Sequence, residues 1–172
     1  MDGLKTPLYK KHIALKGNMV SFGGYLLPTH YTSINHEHQV VRSKAGLFDV
    51  SHMGEFIVSG TDAELFLQKI TINDVSNLRV GQAQYTAMCY EDGGIIDDFI
   101  IYKFEGTYML VVNSNNIKKD MQLVKNPKLY KNQNHQILFK IKKIHKQLFM
   151  EMGLVHQQVL LFFIIDHQEQ YI

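Results

Sequence analysis

The stretch "EDGGIIDDFIIYK", Glu91 to Lys103, sets two adjacent aspartates in the middle of an apolar run. Asp is a poor strand residue, and a buried carboxylate is costly unless it is paired or hydrogen-bonded. The turn signal lies upstream, at Asp92-Gly93-Gly94, and the residues after it read as strand. Side chains of a strand alternate between its two faces. Ile95, Asp97, Phe99 and Ile101 therefore share one face, and Ile96, Asp98, Ile100 and Tyr102 share the other. Whichever face is buried, one carboxylate goes in with the isoleucines.

The flanks extend this strand into a meander. "QAQYTAMCY" precedes it and "TYMLVVN" comes after it, joined through the two-residue hairpin signals Asp92-Gly93 and Glu105-Gly106. With loops of that length Asp98 faces Ala87 on one neighbour and Asn113 on the other, and Tyr85 faces Ile100 one diagonal step away. Tyr85, Asp98, Tyr102 and Asn113 then gather on one sheet face, around a semi-buried Asp98 carboxylate. Small Ala87 leaves room beside it for a ligand. The bland alternative is that Asn113 simply caps the sheet end and bonds Asp98.

Upstream, "SINHEHQVVRSKAG" has Ser33 as N-cap and Gly46 as stop, which predicts a helix from about Ile34 to Ala45. "GLFDVSHMGEFIVSG" reads as a short strand, a turn and a second strand, Glu55 to Val58. "TDAE", Thr61 to Glu64, is a capping box opening a helix with Ala63, Phe66, Leu67 and Ile70 on one face. Helices interspersed with an antiparallel meander give the class α+β.

Bulk properties narrow the function. The 172 residues suit one compact domain or two small ones, with 45% hydrophobic and 20% charged residues. A net charge of +2 does not mark a nucleic-acid binder. The single cysteine, Cys89, excludes an internal disulfide framework and suits the reducing cytoplasm. The N-terminus has neither the apolar core of a signal peptide nor a transit-peptide composition. "VLLFFII", Val159 to Ile165, is too short to span a membrane. His36 and His38 diverge on a helix, so no metal site is expected there. His52 reads as a turn residue, and Cys89 has no acid–base neighbours that would make it a nucleophile.

Composition changes near residue 120. Residues 1–120 hold 11 Lys and Arg against 13 Asp and Glu; residues 121–172 hold 7 against 3. Eleven of the twelve glycines fall in the first part. Such a shift marks a domain boundary or a tail, so the chain divides into 1–120 and 121–172.

"KTPLY", "MVSFGGYLLPTHYTS", "VRSKAGLFDVSHMGEFIVSG", "NDVSNL", "YTAMCYEDGGIIDDFIIYK" and "LVVNSNNIKKD" resemble, in order and spacing, the N-terminal part of the folate-binding aminomethyltransferases, the T-proteins of the glycine cleavage system. Tyr25 stands where the family usually has Trp. The resemblance implies the N-terminal portion of a three-domain fold with tetrahydrofolate in a central opening. It implies a one-carbon unit arriving on the lipoyl arm of the H-protein, released ammonia, and methylene-tetrahydrofolate as product. Asp98 matches the family's key acidic residue, and Tyr85, Tyr102, Asn113 and Met53 match its folate-site neighbours; no metal is implied. Asp97 serves the other face.

The resemblance stops at about Asp120, and residues 121–172 read as a shifted frame or a replacement of the family's continuation. The expectation is a truncated member, inactive alone. Alternatives are a folate-binding paralogue linked to iron–sulfur cluster assembly, and a fragment with no ligand. The folate module of a dimethylglycine or sarcosine oxidase is disfavoured, because residue 1 falls at the start of the module.

Overall fold

The computed structural model describes residues 2–125 and, beyond them, the backbone of three strands at 138–141, 148–152 and 161–165. The chain divides into two compact units, one holding Met1–His52 and Ile144–Ile172, the other Met53–Lys143.

The first unit opens with β1 (Leu4–Lys5), α1 (Tyr9–Ala14), β2 (Met19–Phe22), β3 (Tyr25–Pro28) and α2 (Ile34–Ser43). β3 lies between antiparallel β2 and parallel β1. Phe22 pairs with Tyr25 across Gly23 and Gly24, which take φ of 57° and 81°. Two successive positive φ values make a tight hairpin whose twist matches its strands, and only glycines adopt them without strain. α2 starts where expected: the Ser33 side chain accepts from the His36 backbone N–H at 3.4 Å. The short strand expected just after Gly46 is not formed. Asp49 instead accepts from the Ser51 N–H (3.0 Å) and Ser51 Oγ (2.5 Å), a local turn that competes with a sheet ladder.

The second unit is a five-stranded antiparallel sheet. Its strands are β4 (Gly54–Ser59), β5 (Ala83–Cys89), β6 (Ile95–Phe104), β7 (Thr107–Val112) and β8 (Leu138–Ile141), in the order β5-β6-β7-β4-β8. Two helices, α3 (Ala63–Ile70) and α4 (Ile117–Val124), and a 3₁₀ turn at Val75–Asn77 supply the rest of the core. The first unit's remaining strands, β9 (Leu148–Met152) and β10 (Leu161–Ile165), form an antiparallel pair. α3 buries the stripe expected of it, Ala63, Phe66, Leu67 and Ile70, in one core cluster with Phe99, Ile101 and Leu110 of the sheet. Each large side chain so buried contributes roughly 1.5–3 kcal/mol. The expected capping box does not form; Asp62 is the N-cap, and its side chain makes no capping bond to the first turn. Glu64 is taken by distant partners, accepting from Lys103 Nζ (2.8 Å) and Tyr108 OH (2.6 Å).

The first turn of the meander departs from expectation. The β5–β6 loop is one residue longer than expected: the Tyr90 N–H donates to the Gly94 carbonyl, and Gly93 takes φ of 87°. A bulge restores the register. Cys89 faces Ile95 while Met88 faces Asp97, leaving Ile96 as the extra residue. Beyond it the expected pairings hold, Ala87 with Asp98 and Tyr85 with Ile100. The bulge breaks strict alternation, so Ile96 and Asp97 are both buried. Ile96 therefore joins the core and not the face of Asp98. The β6–β7 turn has two residues as expected, with Phe104 facing Thr107 and Gly106 at φ 68°.

Candidate functional site

The sheet brings Tyr85, Asp98 and Asn113 together. Tyr85 OH donates to Asp98 Oδ2 at 2.5 Å, and that bond, ahead of its small burial, raises the Tyr85 pKa. Asn113 comes directly after the last residue of β7, and its Nδ2 donates to the Asp98 carbonyl (2.9 Å) and more weakly to Asp98 Oδ1 (3.4 Å). Tyr102, on the same strand as Asp98, is buried and pairs with Ala83 and Met109. Met53 is half-buried just before β4, whose Gly54 faces Val112, so Met53 and Asn113 leave the sheet at the same end.

One expectation needs correction. Asp98 is exposed, not semi-buried, and Tyr85 beside it is 67% exposed. The buried carboxylate is Asp97, 4% exposed on the core side of β6. Alternation with the core residues Phe99 and Ile101 points Asp97 inward, and the side chains after β7 hold it there. Asn113 Nδ2 donates to Asp97 Oδ1 at 3.0 Å and Asn116 Nδ2 donates to the same oxygen at 2.6 Å. Burial pushes the Asp97 carboxyl up, but bonds from Asn113, Asp120 and Asn116 and from the Asp98 backbone outweigh it and leave it below the usual range. Asp97 is thus more than a filler of the other face, since it anchors the same Asn113 that bonds Asp98.

Sequence reasoning missed Asp120, Asn116 and Lys119. Asp120, on α4, is fully buried, and burial, then its bond to Asp97 and repulsion from it, pushes its pKa up to about 7. Lys119 Nζ donates to the carbonyl of Ile96, the bulged residue, which pins the bulge to α4. The signal was the spacing Asn113, Asn116, Asp120 inside "NSNNIKKD", interleaved with the apolar Ile117, Met121 and Val124 that face the core. α4 also needs a small residue beneath it. A Cβ on Gly54 would lie 2.6 Å from Ile117 Cγ1 and 2.8 Å from Val112 Cγ2.

The first unit holds a second buried carboxylate. Asp49 Oδ2 accepts from Thr6 Oγ1 (2.6 Å) and contacts His12 Nε2 (2.7 Å), while His12 Nδ1 bonds Tyr31 OH (2.7 Å). Burial raises the Asp49 carboxyl, but bonds from Ser51, Thr6 and His12 bring it below the usual range. This network walls a cavity of about 400 Å³ that His52 also lines. His52 lies in a turn as expected, 8% exposed, and burial lowers its pKa. Among the described residues no group of three or more His, Cys, Asp and Glu is placed to hold a metal, and no helix is long and apolar enough to cross a membrane.

Comparison with known proteins decides the family. The family described as GCVT N-terminal domain matches residues 8–150. The chain belongs to this aminomethyltransferase family. It is 56% identical over 118 residues to the aminomethyltransferase of Bacillus licheniformis, covering 68% of this chain and 32% of that protein. To the aminomethyltransferase of Oceanobacillus iheyensis it is 50% identical over 129 residues, 74% of this chain and 35% of that one. The crystal structure of glycine cleavage system aminomethyltransferase T from Bartonella henselae superposes with a TM-score of 0.76 at 28% identity, covering 87% of this chain and 40% of that chain. The chain therefore spans about a third of the length of its curated relatives.

Proposed function

We propose that this chain carries one wall of the folate site of a glycine-cleavage aminomethyltransferase, with Asp98 as its catalytic residue and Tyr85, Tyr102, Asn113 and Met53 as folate-binding neighbours. The observation that carries it is the exposed Tyr85–Asp98 pair, bonded at 2.5 Å, with Asn113 beside it. An ionised carboxylate has about four acceptor positions, so Asp98 keeps capacity for a pterin N–H after Tyr85 and Asn113 are counted. The exposed Tyr85 ring offers the flat surface that such a heterocycle would lie against. The donor set fits tetrahydrofolate.

In the reaction, two new carbon–nitrogen bonds to tetrahydrofolate replace one carbon–sulfur and one carbon–nitrogen bond of the aminomethyl-lipoyl group on the H-protein. The two protons lost from folate nitrogens leave on the lipoyl thiol and on ammonia. Asp98 would accept from the attacking amine, orient it, and take its proton, a role that contributes about 10²–10⁴-fold in rate. Residues 1–120 supply this wall, and residues 121–172 replace the family's continuation. Reading the encoding DNA in all three frames past codon 120 tests that division. One wall does not bury a ligand from several sides, so the chain alone should bind tetrahydrofolate weakly and not turn over, in the cytoplasm that its single cysteine suits.

The test is calorimetric titration with tetrahydrofolate, beside an assay of methylene-tetrahydrofolate formation from aminomethyl-lipoyl H-protein. The expected Kd is on the order of 1 mM, with no turnover. Asp98→Asn should abolish the binding. Unchanged binding by that variant would overturn the assignment of Asp98, and turnover by the chain alone would overturn the one-wall reading.

A further inference from the structure

Asp97 and Asp120 come from β6 and α4 and bury their carboxyl groups against one another, 4% and 0% exposed. Asp97 Oδ1 has its donors, Asn113 and Asn116. Asp97 Oδ2 and both oxygens of Asp120 are buried and receive no other donor among the described residues. Two ionised carboxylates in that position would repel each other with nothing to solvate them, so one must keep its proton. The amides and the Asp98 backbone favour charge on Asp97; nothing comparable favours it on Asp120, whose hydroxyl can then donate to Asp97 Oδ2.

We propose that Asp97 and Asp120 share a single proton, and that this pair acts as a positioning device for the Asp98 site by holding Asn113. The path is short. Asn113 Nδ2 bonds Asp97 Oδ1, the Asp98 carbonyl and Asp98 Oδ1, so its place depends on how Asp97 is held. Losing the shared proton sets two buried charges against each other, pushes Asp97 away from α4 and drags Asn113 with it. Facing Asp120 are Asp97 and, beside it on α4, Lys119, whose Nζ already bonds the Ile96 carbonyl. The acidic groups on α3 and the 3₁₀ turn are occupied elsewhere, Glu64 by Lys103 and Tyr108 and Asp74 by Ser76 and Asn77; Lys69 and Lys118 are exposed. The positioning role rests on the folate reading above; the shared proton does not.

The test tracks the Asn113 side-chain amide by ¹⁵N NMR in the full 172-residue chain, from pH 5.5 to 8.5, with and without tetrahydrofolate. In the wild type the Asn113 signal should shift with a midpoint near 7, the value at which Asp120 releases its proton. Tetrahydrofolate affinity should weaken about fourfold between pH 6 and 7.5, because the competent population falls by that factor. Asp120→Asn keeps a donor toward Asp97 but has no proton to lose. It should hold Asn113 at its low-pH position throughout and bind folate independently of pH, which a purely structural role would not produce. A wild-type Asn113 signal flat across this range would overturn the proposal even if the variant did not fold. So would the same titration persisting in Asp120→Asn. An Asn113 titration without any folate binding would leave the shared proton standing and overturn the positioning role together with the folate reading.

Discussion

Each unit of this protein buries a carboxylate, and the two are solved differently. Asp49 in the first unit is surrounded by donors, with the Thr6 and Ser51 hydroxyls, a backbone N–H and the His12 ring all on its two oxygens. Asp97 in the second has amides on one oxygen and another carboxyl group, Asp120, toward the other. The Asp49 side chain and residue Asp97 are both withdrawn from solvent. What sits opposite decides the charge: donors keep Asp49 ionised, and the facing pair keeps a proton.

The comparison breaks most visibly if Asp49 is removed. Asp49→Ala leaves His12 and Thr6 buried without their acceptor, which costs roughly 3 kcal/mol or more. Amide hydrogen exchange on β2 and β3 should accelerate about two orders of magnitude if these strands open with that network. Unchanged protection would mean that Asp49 is not what anchors α1 to the turn at residues 49–51.

Gly54→Ala sharpens the other half. A methyl group at 2.6 Å from Ile117 and 2.8 Å from the β-branched, fully buried Val112 forces one of them aside. Overpacking of this kind costs about 1–3 kcal/mol. It should also lift α4 from the sheet, so the Asp120 carboxyl titrates closer to the ordinary carboxylate range. A stability loss with no change in that titration would separate the seat of α4 from the pairing of Asp97 and Asp120.

A smaller effect per unit is the pH slope of stability. The folded-state pKa of Asp120 lies above its unfolded value, so the folded state binds the extra proton. Its contribution is fully present below about pH 3.8 and is lost as pH rises toward 7. The slope is at most about 1.4 kcal/mol per pH unit for one proton. Asp49 and Asp97 have the opposite sign. Their folded values are depressed, so their contribution is present above the ordinary value of 3.8 and is lost as pH falls below it. Urea unfolding at several pH values checks both signs, and Asp120→Asn should flatten the interval from pH 4 to 7. Least of all, Tyr85→Phe should leave stability unchanged, because the pair it breaks is exposed, while weakening tetrahydrofolate binding in the same calorimetric titration.

Much of this was legible because local signals and tertiary packing agree. The glycines at 93 and 106 adopt the positive φ that hairpins need, and the α3 stripe is apolar at helical spacing. The pairing of Asp98 with Ala87 came out as expected for a reason the sequence could not reveal. The loop is a residue longer than its Asp-Gly signal suggests, and the bulge at Ile96 cancels the slip. Long-range partners were invisible. Glu64 looks like a capping residue until Lys103 and Tyr108, 39 and 44 residues away, bond it. Asp97 looks like a filler until Asp120 arrives from α4. The composition change near residue 120 draws attention to a boundary and away from the aspartate standing on it.

The central claim is that buried aspartates differ in charge because of what faces them, Asp49 and Asp97 ionised and Asp120 protonated. Its most direct measurement is the ¹³C carboxyl spectrum of the chain labelled at aspartate, recorded from pH 3 to 9 and assigned with Asp49→Asn, Asp97→Asn and Asp120→Asn. Asp49 and Asp97 should stay ionised down to below 3.8, while Asp120 titrates near 7 and its transition disappears in the Asp120→Asn variant. If all three carboxyl groups instead titrated together in the ordinary carboxylate range, no proton would be shared between β6 and α4, and the account would be contradicted.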